Sequence, residues 1–233
     1  MNTDPIDLIS AYCDRWCERC AFSRRCSLYA VQIASEMCGD LEAGLELALG
    51  DPHPASNEPP ERPLWIDELA NVEPSPEERA EFHRQEELRR ARIEAGALSK
   101  LARAYTLLSL RWLQHGFESL REAADPLVKE ALAIVAHDSV FVGAKLHRAL
   151  GGRDRHRGDW DDDPVQNDWN GSAKVALLSL ERLETAWRAI VQATADPVAA
   201  MLADAVHDLR RLVQDEFPRA MAFVRPGFDE PWR

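Results

Sequence analysis

Pro126-Leu-Val-Lys-Glu-Ala-Leu-Ala-Ile-Val-Ala-His-Asp-Ser-Val-Phe-Val-Gly-Ala-Lys-Leu-His-Arg-Ala-Leu150 decides the fold class of this chain. Asp125-Pro126 is a helix start, and projection at 100° per residue gathers Leu127, Ile134, Val135 and Val142 on one arc. Similar runs flank it over Leu98 to Ala124, Ser172 to Ala193 and Pro197 to Phe217, separated by Asp125-Pro126, the loop Gly151 to Gly171, and Asp196-Pro197. Leu101, Tyr105, Leu108 and Trp112 on the first run, and Leu180, Leu183, Trp187 and Ile190 on the third, are of a kind to share a core with Leu202 and Leu209 of the last. The expected fold is all-α: a four-helix-type bundle.

Composition agrees with that expectation. The 233 residues are 45% hydrophobic and only 7% aromatic, with Ala and Leu dominant, which favours helix and excludes a large sheet. A net charge of −12 with no basic face argues against nucleic acid or an anionic membrane as partner. The start of the chain lacks a basic and apolar leader, and apolar runs such as Ala131 to Ala136 are too short to span a bilayer, so a cytoplasmic location is expected.

Working outward, Ser75-Pro76-Glu77-Glu78 starts a very polar helix that runs to Gly96. Seven of the 14 prolines fall between Asp51 and Pro76, marking a linker strap in which Leu64-Trp65-Ile66 and Leu69 are suited to docking. Residues 4 to 49 read as two helices, the second running from Leu28 to Leu49. The expected organisation is therefore a helical Cys-rich module over 1–50, a Pro-rich linker over 51–76, and the bundle over 77–233. Its tail from Pro218, with Phe223, Phe228 and Trp232, is expected to wrap.

All five cysteines, Cys13, Cys17, Cys20, Cys26 and Cys38, lie in the first 38 residues. In a reducing compartment such crowding points to a metal. On a helix, Cys13, Cys17 and Cys20 share one stripe, and Cys26 returns after a break to complete four thiolates. Such a set suits either Zn²⁺ or a 4Fe–4S cluster, with buried or redox thiols that hold no metal as the third reading, and Arg15, Arg19, Arg24 and Arg25 would offset the charge of bound thiolates. Four ligands within so short a span are closer to iron–sulfur spacing than to paired zinc knuckles. Cys38, on an apolar face beside Met37, is expected to pack in a core.

Within the bundle, Asp138 and Lys145 fall inside an apolar arc, with Glu130, His137 and Arg148 at its edge. They pair internally or bind a ligand. Lys174 and Glu181 belong to a narrow polar stripe on the third run that either faces solvent or lines a site. Asp204 and His207 project to a polar face, and Glu-x-x-His pairs are missing, which counts against a dimetal oxidase. The acidic loop with Asp159, Asp161, Asp162, Asp163 and Asp168 is of a kind to hold a divalent cation or present an interaction surface, but it lacks EF-hand spacing and is expected to be a solvated loop that ends with Ser172 capping the next helix.

The triplet Cys13, Cys17, Cys20 resembles the cluster motif of radical S-adenosylmethionine enzymes, but without strands for a β/α barrel that family is excluded. Cys17-x2-Cys20-x5-Cys26 looks like part of the iron–sulfur motif of WhiB-like regulators, whose basic tail is missing here. Asp163 to Lys174, Lys145 to Leu150 and the Cys13 to Cys26 motif together resemble a family of bacterial helical proteins. That resemblance implies an all-α fold and a bacterial cytosolic source, which a basic set with only four lysines also suits, and it implies no activity. The functional expectation is a metal-dependent binding or regulatory protein with a protein partner or a second copy. The alternative is a metalloenzyme or redox protein using Asp138, Lys145, His137, Glu130, Lys174 and Glu181 as a small-molecule or metal site.

Overall fold

Helix signals in this chain are punctuated by caps, and the structure follows the punctuation. A computed structural model of the protein describes residues 4–50, 73–123, 125–155 and 163–229, with Leu120 the one described side chain within 116–123. Among the described residues every regular element is helical and there is no strand, so the fold is all-α. The linker residues 51–72, the central part of the acidic loop and Trp232 lie outside the described residues. The chain divides into two compact units, Met1–Ser10 with Arg15–Arg90, and Ala11–Asp14 with Ala91–Arg233.

In the first unit the expected helix around the first three cysteines does not form. Three 3₁₀ turns stand in its place: Ile9–Ala11, Cys17–Arg19 and Ser23–Arg25. Leu8 and Arg15 adopt left-handed backbone, φ 58° and 61°, which ends any right-handed helix on either side. The second expected helix is also divided, into α1 (Ser27–Cys38) and α2 (Leu41–Leu49). Gly39 takes φ 69° and closes α1, and the Asp40 side chain accepts from the Ala43 amide to cap α2. The two helices then fold back on each other, with Gly44 so near the Ser35 backbone that a Cβ there would lie 2.5 Å from Ser35 Cα.

Helix α3 (Pro76–Ala95) opens with a reciprocal cap. The Ser75 hydroxyl accepts from the Glu78 amide at 3.1 Å, and the Glu78 carboxylate accepts from the Ser75 amide at 2.8 Å. None of its residues is buried, as its charge pattern predicts.

The second unit contains α4 (Ala97–Ala123), α5 (Pro126–Arg155), α6 (Asp168–Thr194) and α7 (Pro197–Glu216). Each packs on the next, and α7 also packs on α4. Asp125 caps α5 through the Leu127 and Val128 amides, and Asp196 caps α7 through the Val198 and Ala199 amides. The expected cap at Ser172 is corrected: Asn167 caps α6, accepting from the Asn170 amide at 2.9 Å, so the helix begins earlier and Ser172 is buried within it.

The shared core holds Tyr105, Leu132, Leu146, Leu180, Leu183, Trp187, Leu202 and Leu209, all nearly inaccessible. Burying such side chains contributes on the order of 1.5–3 kcal/mol each. Trp187 meets Trp112 edge-on at 4.9 Å and donates its indole N–H to the Tyr105 hydroxyl at 2.9 Å. Beyond α7 the chain turns through Ala220–Ala222 and buries Phe223 against α6. Among the described residues no helix is long and apolar enough to cross a membrane.

Candidate functional site

The cysteine motif sits on turns rather than on a helix. Cys17 opens the 3₁₀ turn that Cys20 closes, and Cys26 precedes α1 in extended conformation. The Phe22 amide donates to Cys20 Sγ at 3.4 Å, a contact of the kind that steadies thiolates and cluster sulfurs. Arg19 stacks on Trp16 at 3.8 Å, and Arg25 donates to the Asp4 carbonyl at 2.8 Å. Among the described residues no group of three His, Cys, Asp or Glu side chains is gathered to hold a metal ion. Cys38 does not pack in a core, which corrects that expectation. It is exposed as the last residue of α1, a helix that buries only Ala34 and ends at the left-handed Gly39.

Cys13 is buried, and its neighbours explain why. Segment Ala11–Asp14 belongs with the helices of the second unit and is held there through Ala11, Tyr12 and Asp14. The Ala11 carbonyl accepts from Lys145 Nζ at 2.8 Å and more weakly from Arg148 at 3.4 Å. The Tyr12 ring lies 4.7 Å from Phe223 and fills the space left by Gly171, where a Cβ would come within 2.6 Å of Tyr12 Cδ1 and 2.8 Å of Phe223 Cζ. Tyr12 donates its hydroxyl to Asp168 at 3.2 Å, and burial followed by the Asp168 charge pushes its pKa up. Asp14 accepts from Arg182 at 2.7 Å.

Arg182 is the hinge of this arrangement. Besides Asp14 it donates to both carboxylate oxygens of Asp138, at 3.0 and 3.2 Å, and to the Ser179 hydroxyl at 3.2 Å. Burial works against its charge, yet the Asp138 and Asp14 carboxylates hold its pKa above the ordinary value. Asp138 itself has no accessible surface and also contacts His137 Nδ1 at 2.8 Å. A carboxylate so deeply placed is tolerable because the Arg182 guanidinium meets both of its oxygens.

The remaining sequence-predicted residues are dispersed. Lys174 is buried and donates to the Phe223 carbonyl at 2.6 Å and to Asp229 at 2.7 Å, fastening the tail. Glu181 and Glu130 are exposed. Asp138 and Lys145, both buried, are held by different partners, Arg182 and the Ala11 carbonyl. Of the groups that organise this region, Arg182, Tyr12, Asp14 and Gly171 are not among the sequence candidates, and Asp168 entered only as one acid of the loop. One signal for them was readable, a glycine in the first turn of α6, directly after Asn170.

An open groove of about 400 Å³ lies elsewhere, between α4 and α5, against Ala102, Thr106, Val140, Gly143 and Leu146 with Arg103 and His147 at its edge. None of the six polar candidates lines it. No known protein family, curated protein or solved structure matches the chain.

Proposed function

We propose that the chain is a metal-dependent binding protein of regulatory type, in which a helical Cys-rich module over 1–50 is joined by the 51–76 strap to a four-helix-type bundle over 77–233. Cys13, Cys17, Cys20 and Cys26 are the proposed ligands, of zinc or of a 4Fe–4S cluster, in a bacterial cytoplasm. The observation that supports the reading is the position of Cys13. It stands between two residues that the helical unit grips, Tyr12 and Asp14, so a change of ligation at its sulfur reaches charged groups of that unit through adjacent bonds. The Phe22 amide donating to Cys20 Sγ at 3.4 Å is a second supporting contact.

The enzyme reading draws less support. Lys145, Lys174 and Asp138 are engaged with the chain's own carbonyls and ion partners, away from the groove between α4 and α5, whereas a small-molecule site needs polar groups turned into a cavity.

Protein purified without oxygen tests the proposal by its visible spectrum and its metal and sulfide content. A brown protein with iron and labile sulfide, or a colourless one with one equivalent of tight zinc, is the expected result, and Cys17→Ser should abolish either. Metal-free protein, or metal unaffected by Cys17→Ser, overturns it.

A further inference from the structure

Segment Ala11–Asp14 is held as a bound peptide is held. A ligand of this kind is recognised by a backbone carbonyl, an aromatic ring and an acid in fixed order, and the second unit supplies a matching group for each. Lys145 and Arg148 meet the carbonyl of Ala11. The gap over Gly171, walled by Phe223, receives the Tyr12 ring, and Asp168 takes its hydroxyl. Arg182, braced by the fully buried Asp138, receives the Asp14 carboxylate. Chain segments on both sides, Met1–Ser10 and Arg15–Arg90, belong to the other unit, whereas Ala11–Asp14 groups with the helices that hold it. Left-handed Leu8 and Arg15 bracket them, a conformation that side chains with a Cβ rarely adopt and that the docked segment must maintain.

From these contacts we infer that α5, α6 and the Phe223 turn form a peptide-recognition groove, and that residues 11–14 are its built-in occupant. The partner it fits is a protein segment carrying an aromatic residue, a small residue and then an acid. The groove stands on contacts within the second unit and does not depend on a metal at the cysteines. Because the internal segment is tethered, it competes at an effective concentration in the millimolar range, so an outside peptide gains access only when the tethered one is weakened.

The test uses the full chain and a fluorescent peptide spanning residues 9–15 with Cys13→Ser, read by anisotropy. The double variant Tyr12→Ala, Asp14→Ala should bind this peptide at least about tenfold more tightly than the wild type, since its groove is no longer filled from within. A peptide carrying Tyr12→Ala should not bind, and adding Gly171→Ala to the protein should remove binding by filling the ring's place. Equal binding by wild type and variant, or none by either, overturns the inference. Should the double variant lose its helical circular dichroism, Asp14→Asn replaces it, with the same expected and overturning results. A wild-type dimer that disappears on Gly171→Ala would instead assign the groove to the same segment of a second copy and overturn the foreign-peptide partner.

Discussion

Asp138 and Arg182 show how a charge is kept in an apolar helix face. Projection of the sequence places Asp138 among Ile134, Val135 and Val142, and the side chain is indeed fully buried. Its partner was not legible, because Arg182 lies 44 residues away on α6 and only packing of that helix on α5 brings the two together. Removing one side of such a pair leaves a desolvated charge, whose cost exceeds the worth of the pair itself. Arg182→Ala should therefore destabilise the protein by about 3 kcal/mol, measured as a lower denaturant midpoint at unchanged slope. Asp138→Asn in the Arg182→Ala background should recover part of that loss, since it removes the buried charge. Absence of recovery would show that Arg182 acts mainly through Asp14.

Helix ends account for most differences between expected and observed elements. The Ser75, Asp125 and Asp196 starts are local devices, each satisfied within three residues, and all were readable. Gly39-Asp40 is equally local, yet apolar residues continue across it from Leu28 to Leu49 and hide the break. Gly39→Ala should cost about 1 kcal/mol, from backbone conformation alone, because a Cβ there meets no atom within 4 Å. Hydrogen exchange should localise the loss to α1 and α2. The cysteine stripe failed as a helix for the opposite reason. Its i, i+4, i+7 spacing is a necessary condition for a helix, but Leu8 and Arg15 adopt left-handed backbone on either side of Ala11–Asp14, whose fixed contacts are to other elements.

For the molecule as a whole, acid is the expected weakness. Burial acts to raise the pKa values of Glu184, Asp196 and Asp229. It is more than offset by Arg210 and His207 at the first, Trp112 at the second, and Arg225 and Lys174 at the third, so all three end below the ordinary carboxylate range. The unfolded chain then takes up protons first as pH falls, and stability declines from about pH 4 downward through the depressed folded values, with little change between about pH 5 and 7. A series of thermal midpoints against pH checks this, and Asp229→Asn should lower stability at neutral pH while flattening the acid decline. A decline beginning above pH 6 would point to histidines instead. What the sequence by itself determined is the helical class, the four long helices of the second unit with the starts of α5 and α7, and the burial of Asp138 and Lys145, because periodicity and capping act over a few neighbouring residues. Only the tertiary structure decided that Ala11–Asp14 docks on α5 and α6, that Arg182 joins Asp14 to Asp138, and that Lys174 holds the tail. Those contacts join residues 44 to 168 positions apart, and they exist only once burial of the shared core has brought the helices into register.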